Sequence, residues 1–436
     1  IYACCNSYQI GDEIYPLLGV IREDLFESVE DLNEDGYRVL AIGYREFSRD
    51  KTSFSVADEA DLVLLGYIAF LDPPKDSATE ALKLLKDAGV KVKVLTGDNG
   101  LVTRKICRDV RLTAERLVTG SELFGLSEQE FSRTVVEADV FVKLTPAQKE
   151  EIVRTLRQKG HVVGFMGDGI NDAPALKAAD VGISVDSAAD VAKEAADIVL
   201  LEKSLLILEE GIIEGRKVFA NIVKYIRMGA SSNFGNMFSV LGASYLLPFL
   251  PMQPVQVLTN NLLYDFSQTG IPMDRVDEEL TARPLKWNID NVKRFMIFIG
   301  PVSSIFDYAT FALMWFFFHC NAFLDVATGQ QNKEMLEKLF QTGWFVESLF
   351  TQTLIVHVIR TKKIPFVGSR ASPHLTLTTL IIMAIGAWLP YSPFGPSLGM
   401  VPLPAVYWLW IGAFLVMYSI ITHGVKTWFF KRFGGD

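Results

Sequence analysis

The chain has 436 residues, half of them hydrophobic, and a formal net charge of −9. That length allows two or three domains, and the acidic balance gives no footing for nucleic acid as a partner. The cysteines, Cys4, Cys5, Cys107 and Cys320, show no metal-ligand spacing, and an adjacent pair such as Cys4 and Cys5 suits a structural disulfide poorly. Reduced thiols in a cytosol-facing protein are therefore expected. No signal peptide is visible and the chain does not begin with Met. It opens inside what reads as folded sequence, so an amino-terminal part is expected to precede it.

Residues 1–71 read as the end of a small α/β domain. Leu25 to Glu34 is helix-like, Gly36 ends that helix, and Arg38-Val-Leu-Ala-Ile-Gly-Tyr44 reads as a strand. Asp72-Pro-Pro-Lys75 breaks regular structure, because each proline restricts its own backbone and that of the residue before it. Over 72–208, short β-branched runs alternate with helical stretches. The strand candidates are Val90 to Leu95, Val140 to Leu144, Val162 to Met166, Val181 to Val185 and Ile198 to Leu201. The helix candidates are Ala78 to Ala88, Ala147 to Lys159 and Ala188 to Ala195. This alternation predicts a doubly wound parallel sheet, whose functional residues gather at the carboxyl ends of strands.

From about Gly229 the sequence turns apolar. Six membrane spans are predicted within 209–436, near 229–250, 254–273, 295–318, 343–359, 375–391 and 403–424. The stretch holding Arg360, Lys362, Lys363 and Arg370 contains no acid, and the tail carries Lys426, Lys431 and Arg432. The loops near 319–342 and 392–402 contain no arginine. By the positive-inside rule, the basic linker, the carboxyl terminus and the soluble domains face the cytosol. A multi-pass protein of the cytoplasmic (inner) membrane is expected, with the lipid bilayer as its surroundings.

Three motifs sit at predicted strand ends. Thr96-Gly97-Asp98 follows Lys91-Val-Lys-Val-Leu95, and Lys149 lies one turn into a helix opened by Thr145-Pro146. The third is Met166-Gly-Asp168-Gly-Ile-Asn171-Asp172-Ala-Pro-Ala-Leu-Lys177. Glycines let a backbone approach a phosphoryl group closely, and hard carboxylate oxygens suit a divalent metal beside it. The run Gly167-Asp-Gly-Ile-Asn-Asp-Ala-Pro-Ala-Leu-Lys-Ala-Ala-Asp-Val-Gly-Ile183 resembles the hinge motif of P-type ion-pumping ATPases. In chain order, after a Asp72-Pro-Pro hinge, the three motifs resemble their haloacid-dehalogenase-type phosphoryl-transfer site.

That resemblance implies ATP and Mg²⁺ as cofactors and assigns roles. Asp168 would hold the catalytic Mg²⁺, with Asp172 and Asn171 supporting metal and phosphate. Thr96 and Lys149 would stabilise the transferring phosphoryl charge. Gly97 would allow close approach, and Asp98 would lie near the nucleotide phosphates. Arg38 resembles the arginine that contacts ATP in the nucleotide-binding domain, and a solvated strand-edge arginine explains it nearly as well. The family phosphorylates an aspartate in Asp-Lys-Thr-Gly, a sequence this chain lacks. The resemblance therefore implies the carboxyl-terminal half of a pump. It also implies a remnant of the nucleotide-binding domain over 1–71, and a phosphorylation domain over 72–208 with a gap where the nucleophile strand belongs.

In the first two spans, Asn233 and Asn236 share one helix face, and Asn261 and Asp265 share another. An ionisable residue within a span is a functional candidate, while asparagines there also serve as interhelical glue. Amide and carboxylate oxygens suit Mg²⁺ or Ca²⁺. The Asn260 to Pro272 stretch and the Gly229 to Asn236 run resemble the sixth and fifth helices of the bacterial Mg²⁺-transporting P-type ATPases. The expected cargo is a divalent cation, Mg²⁺ by that resemblance and import by direction. A calcium or proton pump, or a catalytically inactive binding or regulatory fragment, stays open.

Overall fold

In a computed structural model, residues 1–434 are described, except 203, 286, 326 and 327. The chain divides into two compact units, Ile1–Gly211 and Ile212–Asp436.

The first unit opens with β1 (Cys5–Ile10), β2 (Glu13–Pro16), α1 (Gly19–Glu34), β3 (Tyr37–Tyr44) and β4 (Leu62–Leu71). The sheet order is β2-β1-β4-β3, with β1 and β4 parallel and the other pairs antiparallel. Cys5, Leu17 and Leu64 form its small core. After the irregular Asp72–Lys75 stretch come α2 (Ala78–Asp87), β5 (Val94–Leu95), α3 (Gly100–Asp109), β6 (Leu117–Thr119), α4 (Glu128–Glu137), β7 (Val140–Val142) and α5 (Pro146–Gln158). Then follow β8 (Gly164–Met166), α6 (Ala173–Ala178), β9 (Val181–Val185), α7 (Asp190–Ala195) and β10 (Ile198–Leu200).

The expected doubly wound sheet is present in two parallel pieces, ordered β5-β7-β6 and β10-β9-β8. Leu95 of β5 and Val163, just before β8, each pack against both hydrophobic cores. β5 and β8 are edge strands of their sheets, and no hydrogen-bond ladder joins them among the described residues. Helix starts follow local chemistry. Ser127 with Glu130, and Thr145 with Gln148, form capping boxes, and Pro146 occupies the first position of α5.

The second unit holds most of α8 (Leu205–Leu246). It also holds α9 (Pro254–Gln268), α10 (Glu278–Thr281), α11 (Ile289–Ala312, continued by a π-helical turn over Leu313–Phe317), α12 (Gln330–Ile359), α13 (Pro373–Trp388) and α14 (Ala405–Phe433). A helix overlaps each of the six predicted stretches. Among the described residues, three are long and apolar enough to cross a membrane by length and composition, namely Ile289–Phe317, Pro373–Tyr391 and Ala405–Phe433. The 15 residues of α9 rise only roughly 22 Å, less than a bilayer's hydrocarbon thickness of about 30 Å. Polar residues such as Glu337, Gln341, Glu347 and Gln352 dilute α12.

Where α8 crosses α11, a Cβ on Gly235 would lie 2.6 Å from the Gly300 carbonyl oxygen and 2.2 Å from Ser303 Oγ. Only glycine permits that approach. Two of the basic residues read as linker and tail charges are structural. Arg360 pairs with the buried Asp274 (Nε to Oδ2, 2.8 Å), as does Lys224 (3.1 Å). Lys426 is buried and donates to the carbonyls of Val358 (2.8 Å) and Thr361 (2.9 Å), closing the end of α12. Lys362, Lys363, Arg370, Lys431 and Arg432 are exposed.

Candidate functional site

Hydrogen bonds join the three motifs at the carboxyl ends of parallel strands. β5 runs into Thr96, whose amide donates to the Phe141 carbonyl of β7 (2.9 Å). The Thr96 carbonyl accepts from the Leu144 amide (3.0 Å), immediately before the Thr145 cap of α5. The Thr96 hydroxyl donates to Asp98 Oδ2 and accepts from the Asp98 amide, both at 3.1 Å. The three-residue loop is thus held by its own side chains. Gly97 is exposed, and an added Cβ would make ordinary contact at 3.7 Å with the Leu144 carbonyl. Close approach inside the protein is therefore not what requires a glycine there.

Lys149 emerges from the first turn of α5 and reaches Asp172 at 2.7 Å. The two side chains are only 14% and 13% exposed. The other oxygen of Asp172 accepts from the Gly169 amide at 3.2 Å, so both of its oxygens are engaged. Gly167 is required by contact, since a Cβ there would meet the Cβ of Asp172 at 2.6 Å. The Gly167 carbonyl accepts from the Ser184 hydroxyl (2.9 Å), and the Asp168 carbonyl accepts from the Ala189 amide (3.0 Å). These bonds fix the loop backbone and leave the Asp168 side chain exposed, with no ion pair or hydrogen bond to its carboxylate among the described residues. Asn171 is exposed beside it.

Arg38 lies 3.6 Å from Asp98, a partly solvated pair linking β3 to the Thr96–Asp98 loop. Asn99, which caps α3, donates to Asn33 of α1 at 2.9 Å and reinforces that link. The Asn33 contact was not legible in the motifs.

In the helical unit the predicted residues separate. Asn233, Asn261 and Asp265 are exposed. Asp265 is exposed for a reason of helical phase. The buried face of α9 is Gln256, Asn260, Tyr264, Ser267 and Gln268, packed toward α12 and α13. Asn261 and Asp265 follow Asn260 and Tyr264 by one position and turn away from it. Asn236 is half-buried and its carbonyl oxygen is 3.2 Å from Gln352 Nε2. The same nitrogen lies 3.4 Å from Asn260 Oδ1 and 2.6 Å from Ser348 Oγ. Asn260, Ser348 and Gln352 extend the polar cluster beyond the residues sequence reasoning found. A polar residue every fourth position along an apolar helix, as at Ser348 and Gln352, was the available signal.

The donor set fits a resident Mg²⁺ at the loop. Asp168 offers one hard, unengaged carboxylate, and Mg²⁺ is usually held by one or two carboxylates while keeping several waters. Among the described residues no group of three or more acidic, histidine or cysteine side chains forms a protein cage for a metal.

Residues 7–180 match the model of haloacid dehalogenase-like hydrolases, and residues 249–428 match that of the cation transporting ATPase carboxyl terminus. The chain is 50% identical over 426 residues to "Magnesium-transporting ATPase, P-type 1" of Salmonella typhimurium, covering 97% of this chain and 46% of that protein. It is 50% identical over 430 residues to the protein of that name from Escherichia coli K12, covering 99% and 47%. A "Calcium-transporting ATPase" of Bacillus subtilis is 35% identical over 256 residues, or 58% of this chain and 29% of that protein. The chain spans a little under half the length of the magnesium-transporting relatives.

Proposed function

This chain belongs to the P-type cation-transporting ATPases, and on that premise we propose that it is the carboxyl-terminal portion of a pump that drives Mg²⁺ across a membrane through an aspartyl phosphate. The observation that carries the catalytic half is the Lys149–Asp172 contact at 2.7 Å beneath an exposed Asp168. A bound Mg²⁺ at Asp168 would offset phosphoryl charge. Lys149 is held at the loop by Asp172, so its cation is in place before a phosphoryl group arrives and need not reorganise. The Thr96 hydroxyl, fixed by Asp98, adds a neutral group at the adjacent strand end. Arg38 would exchange Asp98 for a nucleotide phosphate. The edge strands β5 and β8 would accept, between them, the parallel strand that carries the phosphorylated aspartate.

The identity over nearly the whole chain supports Mg²⁺ as cargo. The exposed Asn233, Asn261 and Asp265 would line the path once further helices cover that face, and the spans would number six. The exposed Lys362, Lys363, Arg370, Lys431 and Arg432 support a cytosolic carboxyl terminus and an inner-membrane setting. Import remains part of this proposal, as do the boundaries 1–71, 72–208 and 209–436.

The test of the catalytic half is Asp168→Asn in the complete pump. Phosphoenzyme trapped from radiolabelled ATP should form on the order of 100- to 1000-fold more slowly, with nucleotide binding retained. Near-normal phosphoenzyme formation would reduce Asp168 to a turn residue.

A further inference from the structure

The helical unit contains a pair of carboxyls that the phosphoryl-transfer and ion-path residues do not use. Asp307 on α11 is 1% exposed and Glu347 on α12 is 0% exposed. Asp307 accepts two hydrogen bonds, from Trp344 Nε1 at 2.7 Å to one oxygen and from Ser239 Oγ at 2.6 Å to the other. Both donors approach the carboxylate from different helices, α12 and α8. That arrangement suits an ionised carboxylate, which is acceptor-only. Glu347 lies beside Asp307 and Thr351, the Thr351 hydroxyl donates to the backbone carbonyls of Glu347 and Ser348, and neither Glu347 carboxyl oxygen has a hydrogen-bond partner among the described residues.

No lysine, arginine or histidine forms an ion pair with either carboxyl among the described residues. The remaining titratable groups facing the pair are phenols: Tyr308 on α11, and Tyr407 and Tyr418 on α14. Tyr407 donates to the Gly343 carbonyl, so its proton is committed elsewhere. Tyr418 is fully buried near Thr422, and its hydroxyl has no hydrogen-bond partner among the described residues. Two adjacent carboxylates sealed from water cannot both be ionised without a counter-cation.

We propose that Asp307 and Glu347 form a proton-binding site inside the bundle, in which Glu347 is the neutral acid and donates its hydrogen to the Asp307 carboxylate. The site then holds one proton and one negative charge. The assignment of the proton to Glu347 follows from the donors. Asp307 already receives an N–H and an O–H, whereas the hydroxyl of neighbouring Thr351 is committed to backbone carbonyls and Glu347 gains an acceptor by donating. A bare metal cation fits poorly, because the Trp344 and Ser239 donors point at the oxygens it would need. The pair is distinct from the exposed Asn233, Asn261 and Asp265, and the proposal does not depend on which ion the pump carries. It differs from the aspartic dyad in that the sharing is unequal.

The test is infrared spectroscopy on the full chain in detergent, with Glu347→Gln and Asp307→Asn. At neutral pH the wild type should show a deuterium-sensitive carboxylic-acid carbonyl band that persists as the pH is raised above neutrality. Glu347→Gln should lose that band and keep the thermal midpoint, because an amide N–H replaces the acid as donor. Asp307→Asn should lower the midpoint, because its amide nitrogen must face either Trp344 or Ser239. Absence of a protonated-acid band from the wild type at neutral pH would overturn the proposal, and that readout needs no variant to fold. A stable Asp307→Asn beside an unfolded Glu347→Gln would reverse the assignment and overturn it equally.

Discussion

Removing the cation at the Asp168 loop, in Lys149→Met, should loosen the loop before it affects anything else in the unit. The pair is 2.7 Å apart and about six-sevenths buried. At an effective dielectric of about 20 the gross attraction is about 6 kcal/mol, and desolvation of both groups offsets most of it. A charge-assisted hydrogen bond of this kind keeps a net of about 1–3 kcal/mol. Local opening of residues 167–178 should therefore rise about 5- to 150-fold. Hydrogen exchange with mass spectrometry reads this directly. Fluorescence cannot, because every tryptophan lies beyond residue 211, the first being Trp287. Lys177→Met, on the exposed side of α6, is the control and should change nothing. Asp172→Asn combined with Lys149→Met should cost less than the two single changes added, by about 1–2 kcal/mol. Additive costs, or exchange in Lys149→Met matching that of Lys177→Met, would refute the view that this pair holds the loop.

Lys93 gives a pH dependence. Burial, with Lys91 nearby, lowers its pKa from 10.5 to about 8. Over that window the unfolded chain binds the extra proton, so stability of the first unit should rise between pH 8 and pH 10.5. Denaturant midpoints followed by proteolysis should show the rise in the wild type and a smaller one in Lys93→Met. At the helix crossing, Gly235→Ala should destabilise by about 1–3 kcal/mol through overpacking. Gly229→Ala, with nothing within 4 Å of its added Cβ, should be neutral or stabilising, and thermal midpoints in detergent separate the two.

Some elements were plain from the residues. The β-branched Val181–Val185 run is β9 to the residue, because it is central in its sheet and buried. The Thr145-Pro146 start located α5 because capping chemistry is local. Tertiary partners decided the rest. The strand predicted from Val90 shrank to Val94–Leu95. The Val90 amide donates instead to the Leu85 carbonyl at the end of α2, and β5 has a ladder on one side only. α3 is absent from the predicted helices, although Asn99 caps its start. The order of the strands was not legible, nor was the break between β5 and β8. The motifs singled out Lys149 and Asp172 separately, and their contact at 2.7 Å came only with the structure. They said nothing of Asp307 and Glu347, although an acid inside each of two apolar helices was there to be read.

The central claim is Mg²⁺ transport through the Asp265 face, and uptake by the complete pump carrying Asp265→Asn tests it most directly. Asp265 is exposed in the helical unit, so its neutralisation should leave insertion and thermal stability unchanged. Removing its charge leaves a divalent cation facing neutral oxygens, and Mg²⁺ uptake into proteoliposomes should be abolished. Wild-type Mg²⁺ uptake in this variant, or loss of Ca²⁺ uptake with Mg²⁺ uptake intact, would contradict the account.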